Sequence, residues 1–215
     1  MEISKMILKH ILNFIAPNYK IKVSFFIILS VICLPEFLNA QSKGGLIGGV
    51  NYSTAKHSEL STGYIIGGYM GFEFRMELDK DYYLITQPQF TQIGFSVASK
   101  ENKDSINRLN YIKIPVFIQQ NFNWKNFWFF AQAGPYVALG AGGKAITDKK
   151  TDALQFGSDM GDFKALDLGI GISAGIKLNK INLGVGYDLG INDIANQGGV
   201  STFNRTFKFV INLYW

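Results

Sequence analysis

Eight ionisable side chains are spaced so that they could act together: the carboxylates Glu73, Glu77, Asp167 and Asp188, and the cations Arg75, Lys113, Lys177 and Lys208. Glu73 and Glu77 have the makings of an acid–base pair, in which one carboxyl stays protonated beside an ionised one. Arg75 stands midway between them. Residues two apart on a strand share a face, so the three read as a salt-bridge ladder rather than a proton-transfer device. Asp188 and Lys208 each lie seven residues from the same end of two consecutive apolar-alternating stretches. That spacing predicts that they pair, within the stagger between neighbouring strands. Four charges of each sign also argue against a selective pore, which would favour one sign at its constriction.

Other motifs carry less chemistry. Gly169-Ile-Gly171-Ile-Ser-Ala-Gly175 has the glycine spacing of a loose dinucleotide fingerprint, but no helix-forming segment follows it. Gly142-Gly143-Lys144 has the end of a phosphate loop, yet Ala138 stands where the first glycine belongs and Ala145 where a hydroxyl should hold magnesium. His10 and His57 are far apart, and Cys33 is the only cysteine. No metal site, cofactor or histidine-based triad is expected, and the reading is non-enzymatic.

The elements that position these residues are strands. From Gly44 onward the apolar period is two, giving eight strands at roughly 44–54, 61–78, 82–98, 107–122, 126–142, 162–178, 181–192 and 203–215. The connections alternate. Asp79–Asp81, Asn123–Lys125 and Asn179–Lys180 are short turns, while 55–60, 99–106, 143–161 and 193–202 are longer and polar. Alternation of this kind predicts an all-β, antiparallel up-and-down barrel with both ends of the mature chain on the short-turn side. On the polar face lie Gly63, Gly67, Gly71, Gly134, Gly140, Gly169, Gly171, Gly175, Gly184, Gly186 and Gly190. Glycine is poorly suited to a solvated strand but makes room inside a narrow barrel. The polar face is therefore expected to line the lumen and the apolar face to meet lipid.

Ahead of the strands, Lys5, Lys9, Lys20 and Lys22 precede the apolar run Val23–Leu34, and a small residue follows at Ala40. This predicts a cleaved signal peptide over 1–40 and a barrel domain over 41–215. Removing its four lysines and two acids from the chain's 21 basic and 16 acidic residues leaves 17 and 14, a balance with no nucleic-acid footprint.

The stretches LITQPQFTQIG (84–94), LNYIKIPVFIQ (109–119) and AGPYVALGAGGK (133–144) resemble the PorT-like outer-membrane β-barrel family of Bacteroidetes-type bacteria, as does the closing FNRTFKFVINLYW. The resemblance implies a transmembrane barrel of the Gram-negative outer membrane, in the porin family, with some relatives tied to protein secretion. In that family an acid commonly stands where Gln89 and Lys113 stand here, so inner-wall pairing is expected to be rewired. It also implies that Phe207, Phe209, Ile211, Leu213 and Trp215 form an assembly signal read by the barrel-assembly machinery. The expected role is structural or binding, through external loops, with 143–161 the candidate site for an extracellular ligand or protein. A small-solute pore or a component of a secretion apparatus is the alternative.

Overall fold

A computed structural model describes residues 43–58, 60–97, 105–147, 150–157, 163–196 and 201–215. The expected signal peptide, with His10 and Cys33, lies outside them. Eleven strands run in chain order: β1 (Lys43–His57), β2 (Thr62–Gly63), β3 (Ile65–Asp79), β4 (Tyr82–Thr86), β5 (Gln89–Val97), β6 (Ser105–Trp124), β7 (Phe127–Thr147), β8 (Lys150–Leu154), β9 (Leu166–Leu178), β10 (Ile181–Gly190) and β11 (Thr202–Tyr214). β4 and β5 are two halves of one stave, interrupted at Gln87 and Pro88 where proline has no N–H to give a ladder. β2 is a fragment beside β5, and β8 folds back on β7. Eight staves remain. All their pairings are antiparallel, and β1 pairs with both β3 and β11, so the sheet closes on itself as an eight-stranded barrel. Closure matters in lipid, where each unpaired backbone group costs several kcal/mol.

The facing of the strands follows from their alternation. Along β11, Phe207, Phe209, Ile211 and Leu213 are exposed on the outer wall, while Thr206, Lys208, Val210 and Asn212 are buried inside. Inward glycines give space to rings from other staves. A methyl group added at Gly175 would lie 2.7 Å from the Phe130 ring, and one at Gly169 would lie 2.4 Å from that of Tyr136. At Gly140 it would meet Phe156 at 2.3 Å.

Several expected boundaries move. The turn expected at Asn123–Lys125 is at Lys125 and Asn126, because Asn123 and Trp124 pair across the hairpin with Trp128 and Phe127. Both turn residues are left-handed, with φ of 47° and 73°, as a mirror-image two-residue turn requires. Residues 143–161 are not all loop, since β7 continues to Thr147 and returns as β8. The stave expected from 162 begins at Leu166, and the closing one ends at Tyr214. Trp215, beyond β11, lays its indole on Gly44.

One seam is incomplete. β3 and β5 pair at Gly71↔Gln89, Met70↔Phe90 and Tyr69↔Thr91, and pairing with β5 resumes only at β2. In the interval, side chains of β1 reach across the bare Gly67 and Gly68 of β3. Asn51 Nδ2 donates to Gln92 O at 3.1 Å and Thr91 Oγ1 at 2.8 Å. Ser53 Oγ donates to Gly94 O and accepts from Gly94 N, at 3.0 and 2.9 Å.

Candidate functional site: the filled lumen and its long-loop end

Three layers of side chains fill the barrel. At the short-turn end, Glu73 has no exposed surface and both its oxygens are engaged. Oε1 accepts from Arg75 Nη2 at 3.0 Å and from the Tyr214 hydroxyl at 2.8 Å; Oε2 accepts from Gln87 Nε2 at 2.8 Å and Asn212 Nδ2 at 2.7 Å. The same hydroxyl accepts from Arg75 Nη2 at 2.7 Å and from Asn182 Nδ2 at 2.9 Å. The Arg75 guanidinium stands 4.6 Å from the Tyr214 ring centroid and 5.2 Å from that of Tyr83. A buried carboxylate held this way is a structural anchor, with no lone pair left for a substrate.

In the middle layer Asp188 lies between two lysines. Lys113 Nζ approaches Oδ2 at 2.5 Å, and Lys208 Nζ approaches Oδ1 at 2.9 Å. Lys113 also lies 3.4 Å from the Tyr136 ring centroid, a cation–π contact in a dry setting. Asp167 Oδ2 accepts from Asn204 Nδ2 at 2.8 Å, near the long-loop end. Gln89 is the register partner of Lys113 and brings no charge to it. The compensating acid comes from Asp188, on β10.

Above this the lumen is apolar. Ala55, Ile93, Phe95, Leu109, Tyr111, Tyr136, Ala138 and Ile194 form one buried cluster, with Phe156 and Phe163 packed on it. Phe156 and Phe163 come from the chain between β8 and β9, and Ile194 from the connection between β10 and β11. The latter is pinned by Asp193. Its Oδ1 accepts from Ala195 N at 3.0 Å and Thr202 N at 2.7 Å, while Lys164 Nζ approaches Oδ2 at 3.4 Å. Slight desolvation raises the Asp193 pKa, but these two amides and the ammonium outweigh it and hold the carboxyl below its usual range.

The eight residues singled out from sequence thus divide. Six are buried: Glu73 with Arg75, Asp188 with Lys113 and Lys208, and Asp167 with Asn204. Glu77 is exposed at the short-turn rim, just before the bulge between Glu77 and Asp79, so it forms no ladder with Arg75 and Glu73. Lys177 is half-buried there, its Nζ 5.9 Å from the Tyr83 ring centroid. Sequence reasoning missed Tyr214, Gln87, Asn182 and Asn212 as partners, and it missed the apolar upper cluster. A signal for that cluster was present. Above Tyr111 the alternation inverts, with Leu109, Ile93 and Phe95 inside while Arg108, Asn110 and Gln92 face outward. Among the described residues no group of three His, Cys, Asp or Glu could hold a metal.

The model of a family described as "Outer membrane protein beta-barrel domain" matches residues 39–196. A comparison with curated protein sequences finds no match. Among solved structures, neisserial surface protein A is similar at 11% identity and a TM-score of 0.46, over 80% of this chain and 97% of that one. Ail, the attachment invasion locus protein of Yersinia pestis, has a TM-score of 0.40 at 11% identity, over 80% and 99%. OprG from Pseudomonas aeruginosa has 0.41 at 11%, over 80% and 91%.

Proposed function

Because the chain belongs to the outer membrane protein β-barrel family, we propose that it is a closed, non-catalytic barrel with a structural or binding role at its long-loop end. The observation that carries this is the packed lumen. An eight-stranded barrel has room only for side chains or one small ligand, and here the Glu73–Arg75–Tyr214 lock, the Asp188 layer and the Phe156–Phe163–Ile194 lid take that room in turn. Solute passage would require two ion-paired layers and an apolar lid to come apart together, and breaking one buried pair costs about 3–5 kcal/mol. The same engagement supports the non-catalytic reading, since Glu73 and Asp188 are both committed to cations.

In this reading the short turns face the periplasm and the connections after β1, β5, β7 and β10 face outward. The β7–β8 hairpin carries a ladder of its own from Gly143↔Leu154 to Thr147↔Lys150 and is the candidate seat for an extracellular ligand or protein. The closing strand's lipid face, Phe207 to Leu213 with Trp215 beyond, is what the barrel-assembly machinery would handle. Two measurements test the proposal on one preparation. Planar bilayers should show no single-channel conductance, and a pull-down from detergent-solubilised outer membrane should capture a partner that is lost when residues 143–157 are replaced by a short turn. Steady conductance would replace this reading with a small-solute pore. Capture of secretion components, in line with the PorT-like motifs, would identify the partner as that apparatus.

A further inference from the structure

The outer wall carries two cations where a β-sheet normally avoids them. Arg108 of β6 and Lys144 of β7 are register partners directly across the ladder. Both point outward, since their neighbours Leu109 and Gly143 form the next pair and Leu109 is fully buried in the lumen. Like charges placed opposite each other on one face destabilise a sheet pair, so some counter-charge is called for. None comes from the described residues of the surrounding wall. The outer positions around the pair are Gln92 and Ser96 of β5, Ile106 and Asn110 of β6, Ile146 of β7 and Thr151 and Ala153 of β8, with no acid among these described residues. No hydrogen bond or ion pair joins Lys144 to the described residues.

Arg108, by contrast, is fixed in place. Its Nη1 donates to Ile66 O at 2.8 Å and to Gln92 Oε1 at 3.2 Å, crossing β5 at Gly94, where no side chain obstructs it. Gln92 Nε2 in turn donates to Asn110 Oδ1 at 3.0 Å, which leaves the Asn110 amide donors for a ligand. Beside them Gly142 is bare, and a methyl group added there would meet nothing within 4 Å. A shelf results. It has a guanidinium, an ammonium and an amide above an open floor.

The height of the shelf names its occupant. Two residues below Asn110, Phe90, Ile112 and Leu139 belong to the apolar outer belt, and Ile112 is 54% exposed. Arg108 is about 7 Å further along the strand than Asn110, in the layer where a bilayer changes from acyl chain to headgroup. We propose that Arg108, Lys144 and Asn110 bind the phosphate of an anionic outer-leaflet lipid whose acyl chains run down the wall at Phe90, Ile112 and Leu139. The proposal rests on the outer-membrane location and not on the role assigned to the loops.

The test uses the full mature barrel in phosphatidylcholine nanodiscs doped with a diphosphorylated glucosamine glycolipid, with retained lipid counted by native mass spectrometry. Wild type should retain the diphosphorylated lipid over its dephosphorylated form. Lys144→Gln, which removes a side chain that makes no hydrogen bond or ion pair with the described residues, should lower retention about fivefold, the worth of one cation at a membrane surface. Arg108→Gln with Lys144→Gln should lower it further. Lys56→Gln, an exposed lysine elsewhere on the long-loop rim, should leave it unchanged. Should Arg108→Gln fail to fold, the Lys144 variant alone decides. Equal retention of both glycolipids, or equal retention by wild type and Lys144→Gln, would overturn the assignment. Displacement of the lipid by millimolar inorganic phosphate would equally overturn it, in favour of a free-anion site.

Discussion

At the scale of single residues the lumen is governed by unequal charge matching. The sequence spacing predicted a pair, Asp188 with Lys208, and the structure places them 2.9 Å apart. Lys113 joins at 2.5 Å from the opposite wall, making a triad with one acid between two cations. Asp188→Asn therefore strands two buried ammonium groups, and the expected loss is about 3–5 kcal/mol in urea unfolding from detergent micelles. Adding Lys208→Met should recover only part of it, and adding Lys113→Met should recover more. Strictly additive losses across the three variants would show that the groups do not act as a unit. Lys113 was not legible as a partner because β6 and β10 are not neighbours in the sheet. Only the narrowness of the barrel brings them together.

At the scale of strands, inside and outside follow from the alternation, and β11 gives the sharpest test. Ile211→Lys puts a charge on the lipid face near mid-wall, at about 2–4 kcal/mol, and should sharply reduce insertion measured by heat-modifiable gel migration. Lys208→Gln leaves Asp188 still facing Lys113 and should be the milder change. The reverse order would mean the faces are misassigned. Strand existence, order and facing were readable because the period of two persists in β3, β9, β10 and β11, and because glycine marks the inner face where rings such as Phe130 and Tyr136 pack. The ends were harder to read. Residues 143–147 carry the polar, glycine-rich composition of a loop yet extend β7, because β6 runs up to Ser105 and offers them a ladder. The upper lumen was hidden for another reason. Phe156, Phe163 and Ile194 are lone apolar residues in polar connections, with no periodicity to say which way they point.

At the scale of the whole molecule, the wall is unevenly joined. The closing seam between β1 and β11 pairs without a break from Gly45↔Tyr214 to His57↔Thr202, and Tyr214 adds its hydroxyl to Glu73. The β3–β5 seam, well inside the sequence, loses its ladder between Ile65 and Gly68 and is held there by Asn51 and Ser53 from within and Arg108 from without. Amide exchange in nanodiscs should accordingly be faster at Ile66–Gly68 and Gln92–Ile93 than at Leu183–Tyr187, and uniform protection would contradict the gap. For fracture mechanics, this barrel has its notch away from its weld. A pulling tip that draws the chain out of the bilayer would start its crack between β3 and β5. The molecule would then part into a β1–β3 flap still fastened to β11 and a β5–β10 remainder, and the unbroken seam between the two ends of the barrel's chain would be among the last to fail.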